Sequence, residues 1–344
     1  MSDVVIAGAG IAGSALAISL ARQGRQIVLL DRARFPREKA CGEGLMPAGV
    51  DALERLGVPI RGEPFYGIRY HHGGRVATGE FPQHRHGLGV RRWFLDAALL
   101  EAARSEPNVD VITEALVEAP LFEHDHVCGV RADGIEYRAP LVIAADGANS
   151  ILRHNLGWDT SRSSRRHALR RHYRVPHRQQ PFVDAYLFPD QETYVTPLPD
   201  NQVMVATLGD SPREVPAEWF IHEAIDAPIG ASPLVVRATQ RVAPGIALLG
   251  DAAGNCDPIT GGGMAQALLS SELLAAHLRN EFPPSLETLR AFDRDREAML
   301  ASYRRLTAGV LALSQHPALF GPALRFLQRT PRVFSYLVGV AGGV

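Results

Sequence analysis

At three places along this chain an apolar run breaks into a polar or glycine-rich turn that opens a helical pattern. The first begins at Asp3-Val-Val-Ile-Ala7, rich in β-branched residues and predicted to be a buried parallel strand. Gly8-Ala-Gly10-Ile-Ala-Gly13-Ser14 follows, then helical spacing through Leu16, Ile18, Leu20 and Ala21 that stops at Gly24. Gln26–Leu30 is a second predicted strand, ending at Asp31. The second place is the strand from Leu141 into Asp146-Gly147, with a polar helix start through Ser150 to Arg153. The third is Gly245–Gly250-Asp251, followed by Gly261-Gly262-Gly263-Met264 and a long helix. Between the second and third places the period drops to two: Ala168–Val175, Val183–Leu187, Glu192–Thr196 and Gln202–Leu208, with Pro-Asp turns among them. These predict an antiparallel sheet, joined by a hairpin of Phe65–Tyr70 and Arg75–Phe81. The chain after Pro283 reads as helical, with an apolar end over Val333–Val344.

The first turn has the residue types that bind a dinucleotide. Gly8 permits the tight turn, Gly10 lets backbone approach a pyrophosphate, and Gly13 lets the helix lie close to its strand. The helix N-terminus offers free N–H groups to phosphate, and Asp31 sits where a carboxylate accepts from ribose hydroxyls. Both NAD and FAD fit that description.

Composition narrows the classes. The chain has 344 residues, 46% hydrophobic and 21% charged, enough for two domains or one large one with a true core. Lys plus Arg is 36 against 37 for Asp plus Glu, so no basic field points to nucleic acid. Lys39 is the only lysine, which reads as composition bias. Three scattered cysteines, Cys41, Cys128 and Cys256, make neither a disulfide framework nor a metal site, and the histidines lack ligand spacing, so no metal is expected. Cys41 and Cys256 are expected to be packing residues rather than a redox pair. The N-terminus lacks the features of a signal peptide, and the uncharged stretch 306–324 is broken by Pro317 and Pro322, so the expectation is a cytoplasmic protein with at most peripheral membrane contact. Arg162, Arg165, Arg166, Arg170, Arg171, Arg174 and Arg178 crowd into seventeen residues. A solvated domain boundary plus an exposed strand face explains them most simply, and a docking ridge for an acidic carrier protein or a phosphorylated ligand is the alternative.

Together the three turns resemble those of the flavoprotein family containing p-hydroxybenzoate hydroxylase and the geranylgeranyl reductases. Phe35-Pro-Arg-Glu-Lys-Ala-Cys41-Gly-Glu-Gly44 is similar to the segment of the reductase branch ending in Cys-Gly-x-Gly. Val90-Arg91-Arg92-Trp-Phe-Leu95-Asp96 looks like the family's strand-to-helix arginine, aligned with Arg92. The likeness spans about residues 1 to 280. It implies an α/β fold: a discontinuous Rossmann-type FAD-binding domain (1–65, 88–160, 240–285), an inserted antiparallel β-sheet substrate domain (66–87, 161–239) and a C-terminal helical segment (286–344).

The resemblance also assigns FAD contacts. Gly8, Gly10, Ala12 and Gly13 surround the pyrophosphate, and Asp31 holds the adenosine ribose, with Arg32 beside it. Cys41 and Gly42 belong to the flavin-side turn, Arg92 meets the phosphate or ribityl chain, and Val117 offers backbone to the adenine. Asp146 and Gly147 lie beside FAD and are associated with NAD(P)H, the transient reductant. Gly250 and Asp251 bind the ribityl chain, and Gly261, Gly262, Gly263 and Met264 open a helix aimed at the flavin N1/O2 edge. Gly-Gly-Gly-Met departs from the hydroxylases' Gly-x-Gly-x-Asn, and Cys41 stands where they tend to have arginine; both lean to the reductase branch. There is no second GxGxxG unit, Cys-x₄-Cys pair or halogenase Trp-x-Trp-x-Ile-Pro segment.

The implied activity is that of an FAD-dependent oxidoreductase, with an NAD(P)H-using monooxygenase of an aromatic or other apolar small molecule favoured. The alternative is a geranylgeranyl reductase-like enzyme reducing C=C bonds of an isoprenoid or similar lipid, and a flavin-carrying sensor without turnover is a distant third. Cys41, Tyr173 and Tyr194, with His172, are the candidate catalytic side chains, and Tyr194, Leu198 and Met204 the expected pocket lining.

Overall fold

The computed structural model describes residues 2–160, 166–176, 179–213 and 223–344. Its central sheet has six strands in the order Val242–Ala243, Ile246–Leu248, Leu141–Ala144, Val4–Ala7, Ile27–Asp31, Val109–Thr113. All neighbours are parallel except the edge pair Val242–Ala243/Ile246–Leu248. Alternation along the first strand sorts its side chains between two cores. Val4 and Ile6 face the helices Ile11–Ala21, Arg92–Arg104 and Gly263–Asn280, whereas Val5 and Ala7 face a three-stranded antiparallel sheet of Val117–Glu123, His126–Ala132 and Ile135–Arg138. Ile11–Ala21 is buried at every position but Ser19, because other helices cover the flank away from the sheet. Its apolar residues therefore show no one-sided stripe.

The predicted antiparallel sheet is present as an eight-stranded roof. Glu223–Ala224, His167–Arg174, Gln202–Gly209, Gln191–Leu198, Val183–Leu187, Gly67–His72 and Arg75–Glu80 lie in that order, and Ile229–Ala231 pairs with His167–Arg174 beside Glu223–Ala224. The early hairpin joins through a parallel pairing, Val183 opposite Ile68 and Ala185 opposite Tyr70. Register assigns the faces: Tyr70, Ala185, Tyr194, Ala206 and Arg170 stand in one cross-strand row. Tyr173 has the opposite parity and packs with Val175, Val195, Val203 and Val205 on the other face.

The C-terminal segment forms the helices Leu286–Ser314, Phe320–Arg329 and Pro331–Gly342. Ser285 caps the first by accepting from the Thr288 N–H, 3.2 Å. Leu324, Phe334 and Val338 pack into the core formed by Phe65, Ile68, Ala77 and Phe81 of the hairpin region. Among the described residues, no helix is long and apolar enough to cross a membrane.

Candidate functional site

A cavity opens beyond the ends of the adjacent parallel strands Val4–Ala7 and Leu141–Ala144, the switch point at which open α/β sheets bind ligands. Its floor is Gly10, Ile11 and Ala12 at the first helix start, Ala145 and Gly147, Gly250 and Asp251, and Gly261 and Gly263. The roof contributes Ile68, Tyr70, Ala168, Arg170, Val183, Tyr194, Ala206 and Leu208. Lys39 to Gly44 and Arg92 form one wall.

The glycines of the floor do three different jobs. A Cβ on Gly13 would overlap the Gly8 carbonyl oxygen, so Gly13 sets helix–strand distance. Gly8, at φ +104°, lies against the Ala145 carbonyl, which makes it a contact between the two adjacent strands as well as a turn. Gly10 and Gly263 instead face open space: the nearest atom to a Gly10 Cβ is the Arg37 guanidinium tip at 3.6 Å, and a Gly263 Cβ meets nothing within 4 Å. Neither helix start carries a side-chain cap, so backbone N–H groups at both remain for a ligand.

Asp31 accepts from the Ala9 N–H (2.8 Å) and the Ala33 N–H (2.8 Å), bracing the glycine turn at the end of its strand. Asp146 accepts from the Ile151 N–H at 2.8 Å through one oxygen, while its other oxygen is buried without a partner. Burial pushes this carboxyl above its ordinary value. Arg153 ties the second turn to the third: it pairs with Asp159 at 2.5 Å and donates to the Ala252 carbonyl at 3.0 Å and the Ala148 carbonyl at 2.6 Å.

Arg92 lines the cavity, but its guanidinium is held bidentately by Asp96, at 2.7 and 2.7 Å. Burial acts to lower the Arg92 pKa, and the Asp96 carboxylate and Cys41 sulfur overcome it and raise it. Arg37 also reaches Asp96, at 3.2 Å. Lys39 faces Asp251, and its pKa is lowered by burial first and by Arg92 and Arg37 after that. The lone lysine, put down to composition bias in the sequence, is thus a half-buried cation of the site.

Other expected residues fall elsewhere. Arg32 is exposed outside the lining, and Val117 is buried between the small sheet and the parallel sheet. Tyr173 is on the far face of the roof, away from the cavity, because its parity is opposite to Arg170. Leu198 and Met204 belong to a neighbouring core around Leu234. Tyr194 does line the cavity and donates to the Ile259 carbonyl at 2.9 Å. Burial, then Tyr70 and Glu192, raise its pKa well above the ordinary value, so it is a proton donor and not a base near neutrality. Burial pushes Tyr70 up to about 12 in the same way. Of the arginine cluster, Arg166 pairs with Glu192, Arg170 with Asp226 and Glu38, Arg171 with the Asp226 carbonyl and Arg174 with Glu223; Arg162, Arg165 and Arg178 lie outside the described residues.

Tyr303, from the C-terminal helix Leu286–Ser314, was not anticipated in the site. Its hydroxyl accepts from the Gly262 N–H at 3.0 Å and from the Thr260 hydroxyl at 2.7 Å, and its ring fills the space a Gly262 Cβ would need. The sequence reads that tail only as helical with an apolar end, and long-range packing brings Tyr303 under the third turn.

The model of the FAD-binding domain matches residues 1–299, which include every turn of this floor. The chain belongs to that FAD-binding family. The flavoprotein is 28% identical to a menaquinone reductase of Mycolicibacterium smegmatis, over 100% of this chain and 92% of the relative. It is also 33% identical to squalene epoxidase erg1 of Schizosaccharomyces pombe, over 44% of this chain and 37% of that protein. In fold it is similar to PqsL, described as a probable FAD-dependent monooxygenase from Pseudomonas aeruginosa: TM-score 0.80, 23% identity, 93% of this chain and 98% of that one. A geranylgeranyl bacteriochlorophyll reductase-like protein from Thermoplasma acidophilum matches with TM-score 0.79 and 20% identity, over 97% and 91%. The cavity fits the cofactor: open glycines lie at two helix starts, Lys39 lines the wall, and the Arg37 guanidinium stands beside Gly10, cations that would suit a pyrophosphate.

Proposed function

We propose that this FAD-dependent oxidoreductase is an NAD(P)H-using monooxygenase of an apolar small molecule. The observation carrying the reading is the roofed cavity, whose upper part is Phe65, Ile68, Val183, Leu208, Leu234 and two protonated tyrosines. Such a lining desolvates an apolar substrate and excludes water from its reacting carbon. Bound on the glycine floor, FAD would accept hydride from NAD(P)H and activate dioxygen for transfer of one oxygen atom. The chain's own residues supply the rest. Gly10 to Gly13 and Lys39 would hold phosphate, Asp251 would accept from a ribityl hydroxyl, and the Gly263 helix start would offer its positive dipole to the flavin. Three cysteines without disulfides suit a reducing cytoplasm, where we place the enzyme.

A second reading, C=C reduction of an isoprenoid lipid, is favoured by the full-length similarity to the menaquinone reductase and by the Cys41-Gly-Glu-Gly44 turn at the cavity wall. Oxygen separates the two. With squalene and a short-chain menaquinone as probes, NAD(P)H oxidation should consume dioxygen and give a product with one added oxygen atom. A product carrying two added hydrogens, formed at full rate under argon, would overturn the monooxygenase in favour of the reductase.

A further inference from the structure

Outside the groups used above, the most unusual feature is a chain of ionisable side chains running through the wall. Glu43 borders the cavity, is fully buried, and holds φ at +53°, a left-handed conformation costly for a side-chain-bearing residue. One of its oxygens accepts from the Arg92 N–H at 2.9 Å. The other lies 2.7 Å from Nε2 of His172, itself fully buried on the roof strand His167–Arg174. On the far side of that ring, Nδ1 lies 2.6 Å from an oxygen of Asp226, whose side chain is partly exposed to solvent (22%). Carboxylate, imidazole and carboxylate thus form an unbroken hydrogen-bonded line from cavity to surface.

The ring has satisfactory partners in both protonation states. With Nε2–H donating to Glu43, a bare Nδ1 can accept from the Arg170 guanidinium at 2.9 Å. A protonated Nδ1 can instead donate to Asp226, to which Arg170 also donates at 2.8 Å. Glu38 completes the cluster, paired with Arg170 and with Arg91 at 2.5 Å. The carboxylates of Glu38, Glu43 and Asp226 share this cluster with the guanidiniums of Arg91 and Arg170, and Arg171 donates to the Asp226 carbonyl at 2.7 Å. Glu38, His172 and Asp226 lie close enough to bind a metal ion, but Arg170 and Arg91 already supply the cations there.

We propose that Glu43, His172 and Asp226 form a proton conduit between bulk water and the roofed cavity. The proposal rests on the oxidoreductase reading but not on the choice between its two forms. Monooxygenation (substrate + O₂ + NAD(P)H + H⁺ → oxygenated substrate + H₂O + NAD(P)⁺) and C=C reduction (substrate + NAD(P)H + H⁺ → reduced substrate + NAD(P)⁺) each consume one proton. Glu43, His172 and Asp226 form a hydrogen-bonded line of titratable groups that reaches the cavity lining from a partly exposed carboxylate. A proton taken from water by Asp226 enters the ring at Nδ1, another leaves Nε2 for the Glu43 carboxylate, and Glu43 releases it into the cavity. His172 and Asp226 are relay groups and do not themselves touch the reacting atoms.

The first test needs neither substrate nor cofactor. In ¹⁵N-histidine-labelled wild-type protein, the fully buried His172 ring should titrate with bulk pH, and Asp226→Asn should displace that titration. A ring locked in one protonation state throughout the folded range overturns the conduit. The second test uses the FAD-loaded enzyme and His172→Gln, which keeps an N–H donor toward Glu43 but carries no proton. Air oxidation of NAD(P)H also takes up one proton (NAD(P)H + H⁺ + O₂ → NAD(P)⁺ + H₂O₂). It should slow about tenfold or more, acquire a larger solvent deuterium isotope effect, and recover in part with added imidazole, while FAD affinity stays unchanged. A rate and isotope effect equal to wild type would refute the proposal. Loss of FAD binding by wild-type protein would refute the oxidoreductase reading and leave the histidine titration to decide the relay.

Discussion

The floor and the wall of the cavity are built on opposite principles. The floor works by absence of side chains: Gly10 and Gly263 leave backbone N–H groups bare at two helix starts. The wall works by crowding of charge: Arg92, Asp96, Arg37, Lys39, Glu43 and His172 sit within a few residues of one another in space, most of them buried. A floor of this kind tolerates no added atoms. A wall of this kind tolerates no lost partner, because each charge left alone in a low dielectric is costly.

The sharpest test of that contrast lies within one turn. Gly13→Val should prevent folding, since its Cβ overlaps backbone that cannot retreat. Gly10→Val should fold with near-normal circular dichroism yet bind no FAD, because its side chain projects into open space meant for phosphate. Stoichiometric flavin in Gly10→Val would show that the phosphates lie elsewhere.

The next largest effect belongs to the wall. Asp96→Ala leaves the buried Arg92 guanidinium without its bidentate partner, and should cost about 3–5 kcal/mol of stability in denaturant unfolding. The linkage sign follows from the shift. Burial works against ionised Asp96, but Arg92 and Arg37 outweigh it and hold the carboxyl below its ordinary value. Its stabilisation is therefore complete above the unfolded carboxylate pKa of about 3.9 and lost as pH falls through the lower folded value. Asp96→Ala should flatten the acid limb of stability; an unchanged acid limb would place the acid lability in other groups.

The same contrast explains what the sequence could reveal. Glycine turns are local, so strand, turn and helix start fall in one short window, as at Val4–Ala7 and Ile11–Ala21. The roof was legible too, because period two survives in His167–Arg174 and Gln202–Gly209, and parity alone separates Tyr173 from Arg170. Charge pairing has no such period. Glu43 and His172 are 129 positions apart, Gly262 and Tyr303 are 41 apart, and nothing in either neighbourhood encodes the meeting. Lys39 left a trace: one lysine in a chain whose other cations are arginines, two residues before the Cys41-Gly-Glu-Gly44 turn.

A smaller effect is expected where floor meets wall. Asp251 lines the cavity beside Lys39, and Asp251→Ala should weaken FAD by about 1.5–3 kcal/mol, roughly ten- to a hundredfold in Kd, through loss of a charge-assisted acceptor. Fluorescence titration that finds an unchanged Kd would turn this carboxylate away from the ribityl chain.

The smallest effect tests whether Lys39 is a phosphate ligand or only a half-buried charge of the wall. Its pKa is depressed, chiefly by burial and then by Arg92 and Arg37, so in the free protein its proton is lost at lower pH than from an ordinary lysine. Two phosphate charges beside it favour the ammonium, so FAD binding should be accompanied by proton uptake wherever the free lysine is partly neutral. FAD affinity should therefore fall as pH rises through the depressed value, by up to about tenfold, or roughly 1.4 kcal/mol per unit of displaced pKa. Lys39→Met should bind FAD more weakly at neutral pH and lose that slope, while keeping the fold, since burying the methionine removes the desolvation penalty. Lys39→Arg should keep the charge but not the slope, because a guanidinium stays protonated throughout. If wild type and Lys39→Met show the same pH slope by calorimetry in buffers of different ionisation enthalpy, the proton belongs to another group and Lys39 is only part of the wall.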